Sequence, residues 1–189
     1  MLLNKDKLTR LHDDIRQCVE CPLHRNRRHA VPGEGDPHAS ILFIGEAPGK
    51  TEDEQGRPFV GPAGKFLDRL LKDNDLTREA VFLTSSVKCR PPNNRAPHPR
   101  ELETCKRLWL DRQLALIDPV IVVLLGKIPI TQVLNEPSNL KESHGQMHER
   151  NGRWYQLQYH PAAGRRFPDI GLSMKRDMAK LKRFLETPS

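Results

Sequence analysis

The segment from Ile41 to Leu71, ILFIGEAPGKTEDEQGRPFVGPAGKFLDRLL, constrains the fold of this 189-residue chain more than any other. It opens on four apolar residues, Ile41-Leu42-Phe43-Ile44, and is broken at once by Gly45-Glu46-Ala47-Pro48-Gly49. A run this short, rich in β-branched residues and followed by glycine and proline, predicts a buried strand of a parallel sheet. Two glycines and a proline within five residues predict a tight, irregular turn after it. The acidic run Glu52-Asp53-Glu54 follows, then a second Gly/Pro-rich loop from Gly56 to Gly64 that holds Phe59. An amphipathic helix is predicted from near Lys65, with Phe66, Leu67, Leu70 and Leu71 on its inner side. A strand–loop–helix unit most often only connects. Two such loops in succession, with three acids and one phenylalanine between them, are less ordinary, and a long loop inside a compact domain is usually functional or disordered. Ligands of open α/β sheets bind just past the carboxyl ends of strands. This segment is therefore the expected site, with Glu46, Glu52 and Phe59 the first residues to touch a ligand.

The rest of the chain repeats the pattern. Leu2, Leu3, Leu8, Leu11 and Ile15 give a helix from Leu2 to Gln17. Val81–Thr84 is a second strand, leading into the basic loop Ser85–Pro97. Pro99–Ile117 reads as one helix, with proline early and Glu101 and Glu103 in its first turns. Val120–Leu125 is the plainest buried strand, followed by a short helix to Leu134. His144–Arg153 reads as a loop or a hairpin around Asn151-Gly152. Trp154–Tyr159 is the last strand, delivering the loop His160–Pro168, and Met174–Leu185 is a basic closing helix. The expected fold is α/β: four strands in a mostly parallel sheet between two helix layers, one domain over residues 1–189. All distinctive loops follow strands and so converge on one edge of the sheet.

Charge narrows the partner. Lys and Arg number 31 against 24 acids, a net charge of +7, and a basic domain of this kind commonly meets nucleic acid. No apolar run approaches the roughly 18 residues of a membrane helix, and MLLNKDKLTRLHDD lacks a leader's apolar core. A monomer in the cytoplasm, associated with the nucleoid, is expected. Arg25, Arg27 and Arg28 are as consistent with a solvated face as with a DNA contact. The four cysteines, Cys18, Cys21, Cys89 and Cys105, are not expected to form disulfides in that compartment. Cys89 sits in Lys88-Cys89-Arg90-Pro91-Pro92, where basic neighbours would lower a thiol pKa. One four-cysteine metal site is favoured over a redox pair plus two core cysteines; zinc and a [4Fe–4S] cluster are both allowed by the chemistry.

Five motifs in order, Gly45-Glu46-Ala47-Pro48-Gly49, Glu52-Asp53, Gly56–Gly61, Val87-Lys88-Cys89-Arg90-Pro91-Pro92-Asn93-Asn94-Arg95-Ala96-Pro97 and Tyr159-His160-Pro161-Ala162-Ala163, closely resemble the iron–sulfur uracil-DNA glycosylases, family four of that superfamily. The resemblance runs from Cys18 to about Phe167. It implies a three-layer α/β/α fold with a four-stranded parallel sheet, and Cys18, Cys21, Cys89 and Cys105 as ligands of a [4Fe–4S] cluster. It also implies removal of uracil from single- and double-stranded DNA, leaving an abasic site. Glu46, Ala47, Gly49, Glu52, Phe59, Ser85 and His160 match the uracil-binding positions, with His160, Glu46 and Glu52 as the catalytic set. Flipping brings the base into a pocket; Phe59 would stack on the ring, and His160 would hydrogen-bond a carbonyl oxygen as negative charge grows there. Arg90, Arg95, Arg165 and Arg166, on loops beside the pocket, are the expected DNA contacts.

Two positions set this chain apart. Ala47 stands where related glycosylases carry an aspartate, as in family four, so no strong general base is evident. Ser85 stands where the family carries an asparagine whose amide reads uracil against cytosine. A hydroxyl is shorter and rotates freely, so base reading is expected to be looser or water-mediated. The rival to the enzyme is an iron–sulfur DNA-binding protein of the same fold with weak, lost or altered base specificity. The covalent-trapping relatives carry a glutamine in the first motif and a reactive histidine in an insertion. This chain has Ala47 and no histidine between Gly45 and Arg95, so permanent attachment to DNA is not expected.

Overall fold

The structure is a computed structural model and describes residues 2–186. Among these residues six strands form one sheet: β1 (Glu34–Gly35), β2 (Ile41–Gly45), β3 (Phe82–Ser85), β4 (Ile121–Leu125), β5 (Met147–Arg150) and β6 (Arg153–Gln158), in the spatial order β1-β3-β2-β4-β6-β5. The four expected strands are the parallel centre, β3-β2-β4-β6. The count of four is corrected to six by antiparallel edges, β1 on β3 and β5 on β6. Neither edge carries a buried alternating pattern: β1 has two residues and β5 is the polar arm Met147-His148-Glu149-Arg150. The hairpin turns at Asn151 and Gly152, both at positive φ (52° and 74°), the geometry that favours Asn-Gly.

Side chains of the central strands alternate between two cores. Leu42, Ile44, Phe82, Val122 and Leu124 face helices α1 (Leu2–Gln17), α5 (Asp111–Ile117) and α6 (Lys127–Leu134). Ile41, Phe43, Leu83, Ile121, Val123 and Leu125 face α3 (Pro62–Lys72) and α9 (Pro168–Glu186). Three α/β/α layers result. Helix α1 buries Leu8, Leu11 and Ile15; the side chains of Leu2 and Leu3 lie outside what is described.

Three expectations change. The acidic run is a short helix, α2 (Lys50–Gln55), closed by Gly56 in the left-handed region at φ 69°. Helix α4 (Pro99–Cys105) passes into α5 through a π-helical turn, Lys106–Leu110, that starts next to Cys105. Residues after β6 are not a loop: His160 caps α8 (Pro161–Arg166), and α9 begins at Pro168. Proline is at the first turn of α3, α4 and α8, where its missing N–H costs nothing. One further short helix, α7 (Leu140–Ser143), precedes β5.

Candidate active site

The segments leaving β2, β3 and β6 converge on a cavity of about 440 Å³. The chain runs from central β2 to β3 on one side and later to β4 on the other, so the cavity sits beside a reversal point of the strand order, where α/β sheets bind ligands. Glu46, Ala47, Gly49, Glu52, Phe59, Ser85 and His160 all line it, together with Arg95. Arg90, Arg165 and Arg166 do not. Val31 and Asn94 also line it; Asn94 lies within the fourth motif without having been singled out, and Val31 lies in none of the five.

Glu52 is not a free acid. Its Oε2 accepts from the Gly49 N–H at 3.1 Å, and its Oε1 accepts from the N–H groups of Val60 at 3.0 Å and Gly61 at 2.7 Å. One buried carboxylate therefore ties the loop after β2 to the loop carrying Phe59. Phe59 is buried yet sits at φ 53°, a left-handed backbone that costs an L-residue roughly 1–2 kcal/mol. Two glycines make room for it. A Cβ on Gly45 would lie 2.6 Å from Phe59 Cζ, and one on Gly64 would lie 1.8 Å from the Phe59 carbonyl oxygen.

His160 is set by its own helix. As the N-cap of α8 it accepts, through Nδ1, the Ala162 N–H at 3.2 Å. With Nδ1 an acceptor, the neutral ring carries its proton on Nε2. The ring is reached only in part by solvent, and burial pulls its pKa down to about 4, so it is neutral at pH 7. Glu46 is half-buried, its carboxylate makes no hydrogen bond to a described residue, and burial raises its pKa. Ser85 closes β3 opposite Gly45. Its carbonyl accepts from Lys88 Nζ at 2.8 Å, and its hydroxyl has no partner among the described residues.

The arginines differ from one another. Arg95 forms a two-pronged ion pair with the buried Glu101, at 2.8 and 2.9 Å. Arg90 donates to Asn94 Oδ1. Arg165 and Arg166 are exposed in the last turn of α8, a helix rather than the expected loop. Arg27, left open between surface and DNA, instead donates to Cys89 Sγ at 3.1 Å and to the Arg16 carbonyl.

Cys18, Cys21, Cys89 and Cys105, from segments far apart in the chain, line one small void beneath Lys88 and Trp109, and none is in a disulfide. Burial pushes the Cys105 thiol up to about 12 and raises Cys89 and Cys21. For Cys89 this reverses the lowering expected from its basic neighbours: desolvation outweighs the Arg27 hydrogen bond. Among the described residues, no group of three or more Cys, His, Asp or Glu forms a single-ion shell.

The family model described as the uracil DNA glycosylase superfamily matches residues 32–184, a span holding every residue named around the cavity except Val31. The chain belongs to the uracil DNA glycosylase superfamily. It is 41% identical over 96% of its length to the Type-4 uracil-DNA glycosylase of Saccharolobus solfataricus, of which 88% is covered. It is 38% identical to the Type-4 uracil-DNA glycosylases of Sulfurisphaera tokodaii, over 97% of this chain and 87% of that protein, and of Pyrobaculum aerophilum, over 95% and 97%. The glycosylase family expected from the five motifs is thus the family found. In this glycosylase chain two residues to which the sequence assigned no place at the site, Lys88 and Arg78, are connectors. Lys88, wholly buried, donates to Thr84 Oγ1 at 2.6 Å and to the Ser85 carbonyl, linking the cysteine loop to the cavity floor. Arg78 holds the far side of the Phe59 loop.

Proposed function

We propose that this chain flips uracil out of single- or double-stranded DNA and hydrolyses its N-glycosidic bond, leaving an abasic site. The observation that carries this reading is the meeting of a rigid aromatic face, Phe59, with the donor edge of a neutral His160 in one cavity. Phe59 stacks on the flipped ring. As the bond between the sugar and the base breaks, its electron pair moves into the ring, and His160 Nε2–H donates to the carbonyl oxygen that gathers the charge. The sugar carbon becomes cation-like and takes up water, and the proton that the water loses ends on the uracil anion that left with the bond's electron pair. Glu52, with its oxygens committed to three N–H groups, is a positioning residue. Glu46 is the carboxylate left to orient water or stabilise the sugar cation. The whole chain serves as one such domain.

Glu46 then sets the acid limb of the rate. Burial raises its pKa, and its charged form is the working one, so excision falls as pH drops through that raised value, while His160 stays neutral down to about 4. Single-turnover rates from pH 4.5 to 8 should show this limb in the wild type and a flattened profile, at lower rate, in Glu46→Gln.

Ser85 favours a second reading, a DNA-binding protein of this fold whose base specificity is altered or lost, because its short hydroxyl has no partner among the described residues to fix it. A panel of uracil, hypoxanthine, xanthine and thymine mispairs, on wild type and Ser85→Asn, separates the two. The enzyme reading expects uracil release by the wild type and sharper rejection of the other bases by Ser85→Asn. DNA affinity without release from any substrate supports the second reading.

The donor set at the four cysteines, all sulfur around one void, fits a [4Fe–4S] cluster. When bound, the cluster would cross-link the end of α1, the loop after β3 and the end of α4; no step of excision runs through it. Purified protein should be brown, with iron and sulfide in equal amounts, and Cys89→Ser should lose the colour and increase hydrogen exchange over residues 90–97. A colourless protein holding one zinc contradicts this.

DNA contact rests on Arg165 and Arg166, exposed and unpaired with any described acid, and on Arg90. Neutralising either helix arginine should reduce the salt dependence of DNA affinity by about one unit of slope. Arg95→Ala should leave the slope nearly unchanged, since Glu101 already holds that charge.

A further inference from the structure

We propose that Arg78, which neither lines the cavity nor touches substrate, is the residue that sets the angle of the stacking face, acting through the backbone of Phe59; the inference rests on the reading of Phe59 as the platform for the base. Arg78 lies in the turn between α3 and β3. Its Nη1 donates to the Phe59 carbonyl at 3.0 Å, and its Nη2 to the Pro58 carbonyl at 2.6 Å. The peptide unit joining Phe59 to Val60 is therefore held at both ends. Its oxygen accepts from the Arg78 cation, and its N–H donates to the Glu52 carboxylate at 3.0 Å. A peptide gripped by opposite charges on opposite edges cannot rotate about its flanking bonds. That grip maintains Phe59 in the left-handed conformation at φ 53°, a state that persists in a non-glycine residue only when its surroundings over-determine it.

Arg78 is itself anchored on two sides. Nη2 and Nε donate to Glu34 Oε1 at 2.6 and 3.1 Å, and Nη1 donates to Asp68 Oδ1 at 2.8 Å. Glu34 belongs to the two-residue edge strand β1 and also pairs with Arg57, one residue before Pro58. Asp68 belongs to α3, the helix packed on the Phe59 backbone. The small edge strand thus has a role beyond closing the sheet: it fixes the guanidinium that fixes the loop. A planar fork with five donors can hold two carbonyls and two carboxylates together; an ammonium cannot.

A double-mutant cycle on single-turnover uracil release tests this. Phe59→Ala alone should be slow. Arg78→Met should slow release by about ten- to a hundredfold, the scale of a misplaced contact, with affinity for undamaged duplex unchanged. In the Phe59→Ala background, Arg78→Met should change the rate by less than about twofold, because the residue through which it acts is gone. Arg78→Lys keeps the stem and the charge, so it guards against a variant that fails to fold. It should melt near the wild type and still be slowed several-fold. Loss of the full factor in the Phe59→Ala background, or wild-type rates for both Arg78 variants beside a slow Phe59→Ala, overturns the proposal alone. A fast Phe59→Ala overturns the stacking reading and the proposal with it.

Discussion

His160→Ala should lower single-turnover uracil release by about a hundredfold to a thousandfold, the usual cost of one preorganised donor aimed at developing charge, and should leave DNA affinity nearly intact. The donor is preorganised because the ring has one arrangement open to it. Nδ1 is occupied by the Ala162 N–H, and burial keeps the ring neutral, so the proton stands on Nε2. Removing the side chain also removes the cap of α8, which costs about 1 kcal/mol of stability. That loss is too small to unfold a domain, so a folded variant with a crippled chemical step separates the donor from the cap. The pH dependence supplies a second check. An unfolded imidazole takes up a proton near 6.5, and the folded one only near 4. The fold therefore loses stability as pH falls through that window, and His160→Ala should lose less of it there than the wild type.

Glu52→Ala should be the most damaging change to the site as a whole. It strands three N–H groups, those of Gly49, Val60 and Gly61, that now donate to one carboxylate. Hydrogen bonds to a charged group contribute about 1.5–3 kcal/mol each and do not simply add. A stability loss on the order of 3 kcal/mol is expected, a fall in Tm of roughly 6–12 °C for a chain of this size. Uracil release falls with it, since Phe59 loses its frame. Glu52→Gln discriminates between roles. A glutamine keeps the shape but sets an NH₂ group against backbone donors, so a framing carboxylate predicts that rate and Tm fall together. A catalytic carboxylate predicts a lost rate at an unchanged Tm.

The sequence is most readable where chemistry-bearing residues follow apolar strands. Glu46, Phe59, Ser85 and His160 each lie in or just beyond a segment whose strand is plain, and the parallel sheet brings them together. The expectation that the four cysteines meet matches their lining of one void. What escaped is held together by buried charge. Helix α2 has no apolar periodicity because its inward residues are Glu52 and Asp53, satisfied by backbone N–H groups rather than by a hydrophobic face. Arg78 stands in Thr77-Arg78-Glu79, a polar turn that local sequence cannot tell from a solvated one. Arg95 sits in a basic loop that suggests phosphate, yet its carboxylate partner is on the following helix. Edge strands β1 and β5 lack the apolar content that marks a strand.

The most direct test of the account places the protein with a labelled oligonucleotide holding a single uracil, as single strand and opposite guanine, and follows with alkali. A nick is expected at the uracil position after alkali, none before it, with free uracil in the supernatant, and none of these with cytosine or thymine at the same position. An intact oligonucleotide at every protein concentration, with the protein bound to it, would contradict it.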